Sequence, residues 1–205
     1  TGEHPRMGCV DVCPFIPIRN ITMLDCVAMA QRVARQVAEQ NVPVFLYGFA
    51  STSDMRKSLS ALRKGEYEGL EDRFSNSTNI HTDDTRLPDL GSKEWNEESQ
   101  KSGGITIGAR DILLAYNVNI DDPDPYVAQQ IGSIVRSSGR LLKSPDGSQK
   151  FRTGGLLLGV QGMGVPLESH GISQVSMNLQ DYKTINLHHA FDTIDSLSKN
   201  MNSAT

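Results

Sequence analysis

No stretch of this chain stays apolar for the roughly 20 residues that a membrane-spanning helix requires, and no secretory signal is visible. A cytoplasmic protein without a membrane partner is expected. Cysteine is scarce: Cys9, Cys13 and Cys26 are the only three in 205 residues. The three-residue gap between Cys9 and Cys13 is not the two-residue gap of zinc or redox pairs. Buried, reduced thiols fit better, so neither a disulfide nor a metal is expected. His81, His170, His188 and His189 are too scattered to form a metal site. Excess positive charge is also missing. The net charge is −4, which argues against a broadly basic nucleic-acid surface. Hydrophobic content is 38%, low for a globule yet above the range of disordered chains.

What is present reads as alternating α/β units. Residues 10–18 are apolar but broken by Pro14 and Pro17, as on an edge strand or one ending in a turn. Thr22 and Asp25 have nearly the spacing of a capping box. Behind them Leu24, Val27, Met29, Ala30, Val33, Ala34, Val37 and Ala38 recur at helical spacing, predicting a helix over 23–40. A short buried strand follows at 44–47, then a helix over 54–64 with Leu59 and Leu62 inward. Residues 71–103 have few apolar anchors and read as one long loop, functional or disordered at that length.

The second half repeats the pattern. Residues 105–120 read as two strand segments around Gly108, Ala109 and Arg110. A helix is expected over 123–136, with Tyr126, Val127, Ile131, Ile134 and Val135 as its buried stripe. Residues 154–165 form a glycine-rich strand region. Its Gly159–Gly164 run lacks the lysine and helix of a phosphate-binding loop. In 172–182, Val175, Met177 and Leu179 alternate with Ser176, Asn178 and Gln180, the pattern of a sheet with one wet face. A helix over 187–199 uses Leu187, Phe191, Ile194 and Leu197. The boundary between halves falls near Arg110. Asn117, Asn119, Gln161, Gln174, Ser176 and Asn178 share polar strand faces. Their amides and hydroxyls suit hydrogen bonding to a ligand, and they suit a solvated sheet equally well.

The start of the chain carries the chemistry. Glu3, His4 and Arg6 surround Pro5, which pushes His4 into extended backbone. Imidazole titrates near neutrality and is the usual group for moving protons. A histidine near a chain start is as readily a plain surface residue. The string GEHPRMG (2–8), followed by DVCPFIP (11–17), resembles the signature of the glutamate formiminotransferases, folate-dependent enzymes of histidine breakdown and one-carbon metabolism. The resemblance continues in order through VPVFLYG (42–48), LRKGEYE (62–68), PDLG (88–91), GITIGAR (104–110), AYNVN (115–119) and QVSMNL (174–179). Loop 92–103 departs from it. That loop looks longer and more charged than the family's usual form, where the family is thought to hold folate. The chain begins with Thr1, and an upstream segment with strands flanking His4 is expected.

The resemblance implies an α/β fold of ferredoxin-like (α+β) type, with two subdomains at 1–109 and 110–205. Their β-sheets would face each other, with helices outside and folate between. It implies transfer of the formimino group of N-formimidoyl-L-glutamate to N5 of tetrahydrofolate, a co-substrate, by a homodimer that needs no metal. His4 matches the catalytic histidine, an acid–base that Glu3 would orient. Substrate and folate binding would fall to Glu3, Arg6, Gly91, Gly103, Gly104, Arg110, Asn117, Asn119, Gln174, Ser176 and Asn178. Arg6 and Arg110 suit carboxylate clamps and, equally, surface ion pairs. The alternative is a non-catalytic or truncated folate-binding paralogue.

Overall fold

Thr22 starts the first helix as its spacing predicts. Its side chain accepts from the Asp25 amide at 3.2 Å, while the Asp25 carboxylate accepts from the Thr22 amide at 2.9 Å. The Thr22 hydroxyl, donating to the Asp25 carboxylate at 2.6 Å, and then the Thr22 amide hold that carboxyl below its ordinary range. The computed structural model describes residues 5–77, 81 and 83–201. Within it the chain divides into two units, 1–111 and 112–205, each with its own sheet and core.

The first unit contains β1 (Val12–Phe15), α1 (Met23–Ala38), β2 (Val44–Gly48), α2 (Leu59–Leu62), α3 (Leu70–Ser75), α4 (Glu97–Ser102) and β3 (Ile105–Ala109). The sheet order is β1-β3-β2 and every pair is parallel, with Cys13 and Leu46 both opposite Ile107. Pro14 is tolerated because β1 is an edge. The inner side of α1 is small: Cys26, Ala30 and Ala34 are buried, which brings the helix close to Val44, Leu46, Ile105 and Ile107. Leu24, expected in that stripe, is 79% exposed. Two residues from Cys26, it points to about the opposite side of the helix.

The other face of this sheet is not wet. Phe45 and Tyr47 pack with Met7, Leu62, Leu70 and Phe74 in a second cluster, so the sheet is covered on both sides, as parallel sheets generally are. The cover comes from the segment read as a helix followed by a long loop. Residues 54–64 are a 3₁₀ turn (Asp54–Lys57) followed by α2, and 71–103 contains most of α3 and all of α4.

Buried polar groups, not apolar periodicity, order this region. Arg56 and Arg73 are each 3% exposed and approach the Phe45 ring at 5.8 and 4.5 Å. Arg73 donates to the carbonyls of Leu62 and Arg86, both at 2.7 Å, and to that of Thr85. Burial pushes its pKa down to about 9, so it stays charged at neutral pH. Arg56 donates to the carbonyls of Asp84 and Leu87 and, at 2.5 Å, to the Asp89 carboxylate. Asp89 also accepts from the Leu46 amide and the Thr52 hydroxyl, each at 2.7 Å. His81, placed by sequence in a polar loop, is buried between the Lys64 carbonyl at 2.6 Å and the Thr85 hydroxyl at 2.8 Å.

The second unit contains β4 (Leu114–Ile120), α5 (Tyr126–Val135), β5 (Leu141–Lys143), β6 (Lys150–Arg152), β7 (Val160–Leu167), β8 (Ile172–Leu179) and α6 (Leu187–Asn200). Its sheet order is β4-β8-β7 and all pairs are antiparallel. The antiparallel β8 lies between β4 and β7, which α5 connects. This is the split βαβ order of ferredoxin-like folds. In the first unit the inserted strand β3 runs parallel instead.

Two glycines bring α5 onto β7. A Cβ on Gly132 would lie 2.7 Å from the Met163 carbonyl carbon, and one on Gly164 would lie 2.1 Å from the Gln129 amide nitrogen. The glycine run is thus a helix-packing strand. Tyr126, expected in the buried stripe, is 61% exposed, and Ala128, Ile131 and Val135 fill that role. Leu187 and Phe191 likewise turn outward on α6, where Ala190 and Ile194 face the core. The exposed hairpin β5–β6 has no counterpart in the sequence reading.

Removing one partner of a buried ion pair leaves the other charge uncompensated, at a cost of about 3–5 kcal/mol. Asp89→Ala should lower the stability of the first unit by that amount. Trp95, the only tryptophan, packs on Tyr67 and Phe74 in this unit, so its fluorescence in a urea titration reports the loss. A loss below about 1 kcal/mol would contradict the role given to Asp89.

Candidate functional site

Residues 7–9 and 102–104 approach each other through backbone alone. The Cys9 amide donates to the Ser102 carbonyl and the Gly104 amide to the Met7 carbonyl, both at 2.9 Å. Glycine is required here. Gly103 has a φ of 66°, and a Cβ on it would lie 2.2 Å from the Met7 carbonyl oxygen. A Cβ on Gly8 would lie 2.5 Å from the Ser102 carbonyl oxygen. Tyr67 ties a third segment to these two. Its amide donates to the Arg6 carbonyl at 2.8 Å, and its hydroxyl to the Gln100 carbonyl at 2.6 Å.

The three segments border an open pocket of about 460 Å³ whose described lining is Arg6, Gly8, Cys9, Tyr67 and Lys101. Arg6 lies 5.9 Å above the Tyr67 ring and makes a two-point contact with Glu68 at 2.9 and 3.3 Å. This contact is an ion pair, with the Arg6 side chain 34% exposed. The pair raises the Arg6 pKa and lowers that of Glu68, in each case first through the side-chain hydrogen bond. Lys101 has a looser partner, Glu97, at 3.8 Å.

The other residues singled out in this unit lie elsewhere. Arg110 is not among the lining residues. It follows β3, where its guanidinium donates to the Asp111 carbonyl at 2.9 Å. It also sits near enough to Tyr47 to oppose the rise in phenol pKa that burial causes, yet Tyr47 Oη makes no hydrogen bond. Gly91 has a φ of 78°, and a Cβ there would lie 2.0 Å from the Val42 carbonyl oxygen. Gly104 packs under the Phe45 ring, 3.0 Å from where its Cβ would be. The readings on Glu3 and His4 lie outside the described residues. Sequence reasoning missed Tyr67 and Lys101. Tyr67 stands inside a string that carried the resemblance, whereas Lys101 has no distinguishing signal. The cysteines are unpaired, but only Cys26 is buried: Cys13 is intermediate and Cys9 exposed.

In the second unit the polar residues form ordered rows. Register places Asn119 opposite Gln174, Asn117 opposite Ser176 and Ala115 opposite Asn178. On the far side of β8, Val165, Met163 and Gln161 complete the rows. Gln174 Nε2 donates to Asn119 Oδ1 at 2.8 Å. Helices α5 and α6 pack the opposite face, around Val118, Val175 and Met177. The result is a sheet face of five amides and the Ser176 hydroxyl, with Ala115, Val165 and the half-exposed Met163 between them.

Residues 1–110 match the family model described as the formiminotransferase domain, N-terminal subdomain, and residues 115–204 match that of the formiminotransferase domain. The chain belongs to the formiminotransferase domain family. It is 37% identical over 202 residues to the formimidoyltransferase-cyclodeaminase of Dictyostelium discoideum, covering 98% of this chain and 34% of the relative. It is 35% identical over 195 residues to the glutamate formimidoyltransferase of Streptococcus pyogenes serotype M1, covering 94% and 56%. The formimidoyltransferase-cyclodeaminase of Sus scrofa is 39% identical over 193 residues, with 93% and 32% covered. The chain therefore spans about a third to just over half the length of these relatives. Among the described residues of this formiminotransferase-family chain, no group of three or more His, Cys, Asp or Glu could hold a metal ion, and no helix is long and apolar enough to cross a membrane.

Thiol accessibility checks the pocket wall. Cys9 should react with a disulfide reagent within the fast phase of native protein, and Cys26 only on unfolding. Loss of the fast phase in Cys9→Ser is expected. Its persistence there would place the exposed thiol elsewhere.

Proposed function

We propose that this chain carries the transfer of a formimino group from N-formimidoyl-L-glutamate to N5 of tetrahydrofolate. The observation that carries the reading is the match of both halves, in order, to the formiminotransferase domain, with relatives named glutamate formimidoyltransferase among the most similar. In this reading the protein is a cytoplasmic homodimer.

N5 attacks the formimino carbon and a tetrahedral intermediate forms. The proton lost from N5 is taken by His4. The same imidazolium returns a proton to the glutamate nitrogen as its bond to carbon breaks, so one acid–base serves both steps. The roles of Glu3 and His4 rest on the GEHPRMG string. The amide rows of β4 and β8 suit the pterin, whose ring nitrogens and exocyclic groups require both donors and acceptors. Asn117, Asn119, Gln174 and Asn178 supply both kinds from one side chain, and Ser176 does so through its hydroxyl. Gly91, Gly103 and Gly104 serve by letting backbone segments meet, and Arg110 is a carboxylate clamp at the end of β3.

His4→Ala should lower turnover by about 10²–10⁴-fold, the range for a lost acid–base group. Folate affinity should change much less, because the proton shuttle acts on the transition state. A steady-state transfer assay with a parallel folate titration measures both. Unchanged turnover would remove His4 from the mechanism. Folate binding by the unaltered protein without any transfer would identify a non-catalytic paralogue.

A further inference from the structure

The pocket of the first unit has an uneven lining. Among the described residues that line it, Arg6 and Lys101 are cations and none is an acid. The two cations differ in what they are free to do. Arg6 has both terminal nitrogens on Glu68, its carbonyl on the Tyr67 amide and its guanidinium above the Tyr67 ring. It is built into the wall. Lys101 is 77% exposed along its side chain, and its only ion-pair partner among the described residues, Glu97, stands 3.8 Å away and is itself 84% exposed. An ammonium held that loosely keeps its donors for a ligand. Beside it lies the Tyr67 ring, fixed by the hydroxyl bond to Gln100 and by its 6.0 Å packing on Trp95. The volume, about 460 Å³, is in the range of small-molecule sites.

A cation at the mouth and an aromatic wall suit a short chain ending in a carboxylate. Both reactants of the proposed transfer carry one: N-formimidoyl-glutamate is a dicarboxylate, and the folate tail ends in glutamate. We propose that this pocket receives the glutamate end of a reactant, with Lys101 as the carboxylate anchor and Arg6 as the residue that positions the Tyr67 wall. The assignment rests on the formimino-transfer reading for its choice of ligand. It replaces Arg6 by Lys101 as the group that meets the carboxylate.

The test uses the whole chain and three probes: N-formimidoyl-L-glutamate, tetrahydrofolate with one glutamate, and tetrahydropteroate, which lacks it. Lys101→Met keeps the stem and removes the charge. It should weaken one glutamate-bearing probe by about tenfold, the effect of one charge-assisted contact, and leave tetrahydropteroate unchanged. Loss for N-formimidoyl-glutamate assigns the pocket to the donor, and loss for tetrahydrofolate alone assigns it to the folate tail. Glu97→Gln frees the ammonium and should tighten the same probe. Equal weakening of tetrahydropteroate, no change in any probe, or no binding of any probe by the unaltered chain would overturn the proposal. If the affinities shift as expected but no transfer occurs, the subsite stands and the reaction reading falls. Normal transfer with unchanged affinities removes the subsite alone.

Discussion

Two guanidinium groups buried against one phenylalanine ring organise the first half of this protein. A parallel sheet must be covered on both faces, and α1 covers only one. The second face is closed by a segment too poor in apolar residues to fold onto it by hydrophobic burial alone. Arg56 and Arg73 make up the difference. Each lies over Phe45, and between them they gather the carbonyls of residues 84–87, two apiece, with Leu62 joining at Arg73. A buried charge is costly unless its donors are matched, so each guanidinium dictates where the surrounding backbone goes. The pocket inherits its walls from that arrangement, because Tyr67, α3 and α4 are held over the same sheet face.

This accounts for what could be read in advance. The helix after Thr22 was legible because its cap and its small-residue stripe are local. The alternation of β8 was legible because it is buried on one face and wet on the other, with Ser173, Val175, Met177 and Leu179 buried in turn. The segment 71–103 was not legible. Its order comes from Arg73, His81 and Asp89, polar residues that on a sequence look like surface. The hairpin β5–β6 was missed for a related reason: its strands are three residues each and wholly exposed, leaving no burial pattern to read. Stripe errors at Leu24, Tyr126, Leu187 and Phe191 share one cause. Apolar spacing marks candidates for a helix's inner side, while the packed face is chosen by whichever small residues allow close approach, here Cys26, Ala128 and Ala190.

The site was legible in part. The N-terminal string led to Arg6, which does line a pocket, and the strand alternation led to the amide rows. Gly103 was named as a binding residue, and its backbone conformation shapes the pocket wall. Tyr67 and Lys101 join Arg6 only through long-range pairing of residues 7–9 with 102–104, which no spacing along the chain reveals.

The central claim is that the pocket around Lys101 and the amide face of β4 and β8 are where the reactants bind. Hydrogen exchange on the whole chain, with and without saturating N-formimidoyl-glutamate and tetrahydrofolate, tests it most directly. The account predicts slowed exchange in residues 6–9 and 99–104 and along the edge strand β4. Unchanged exchange in both regions at saturating ligand would contradict it.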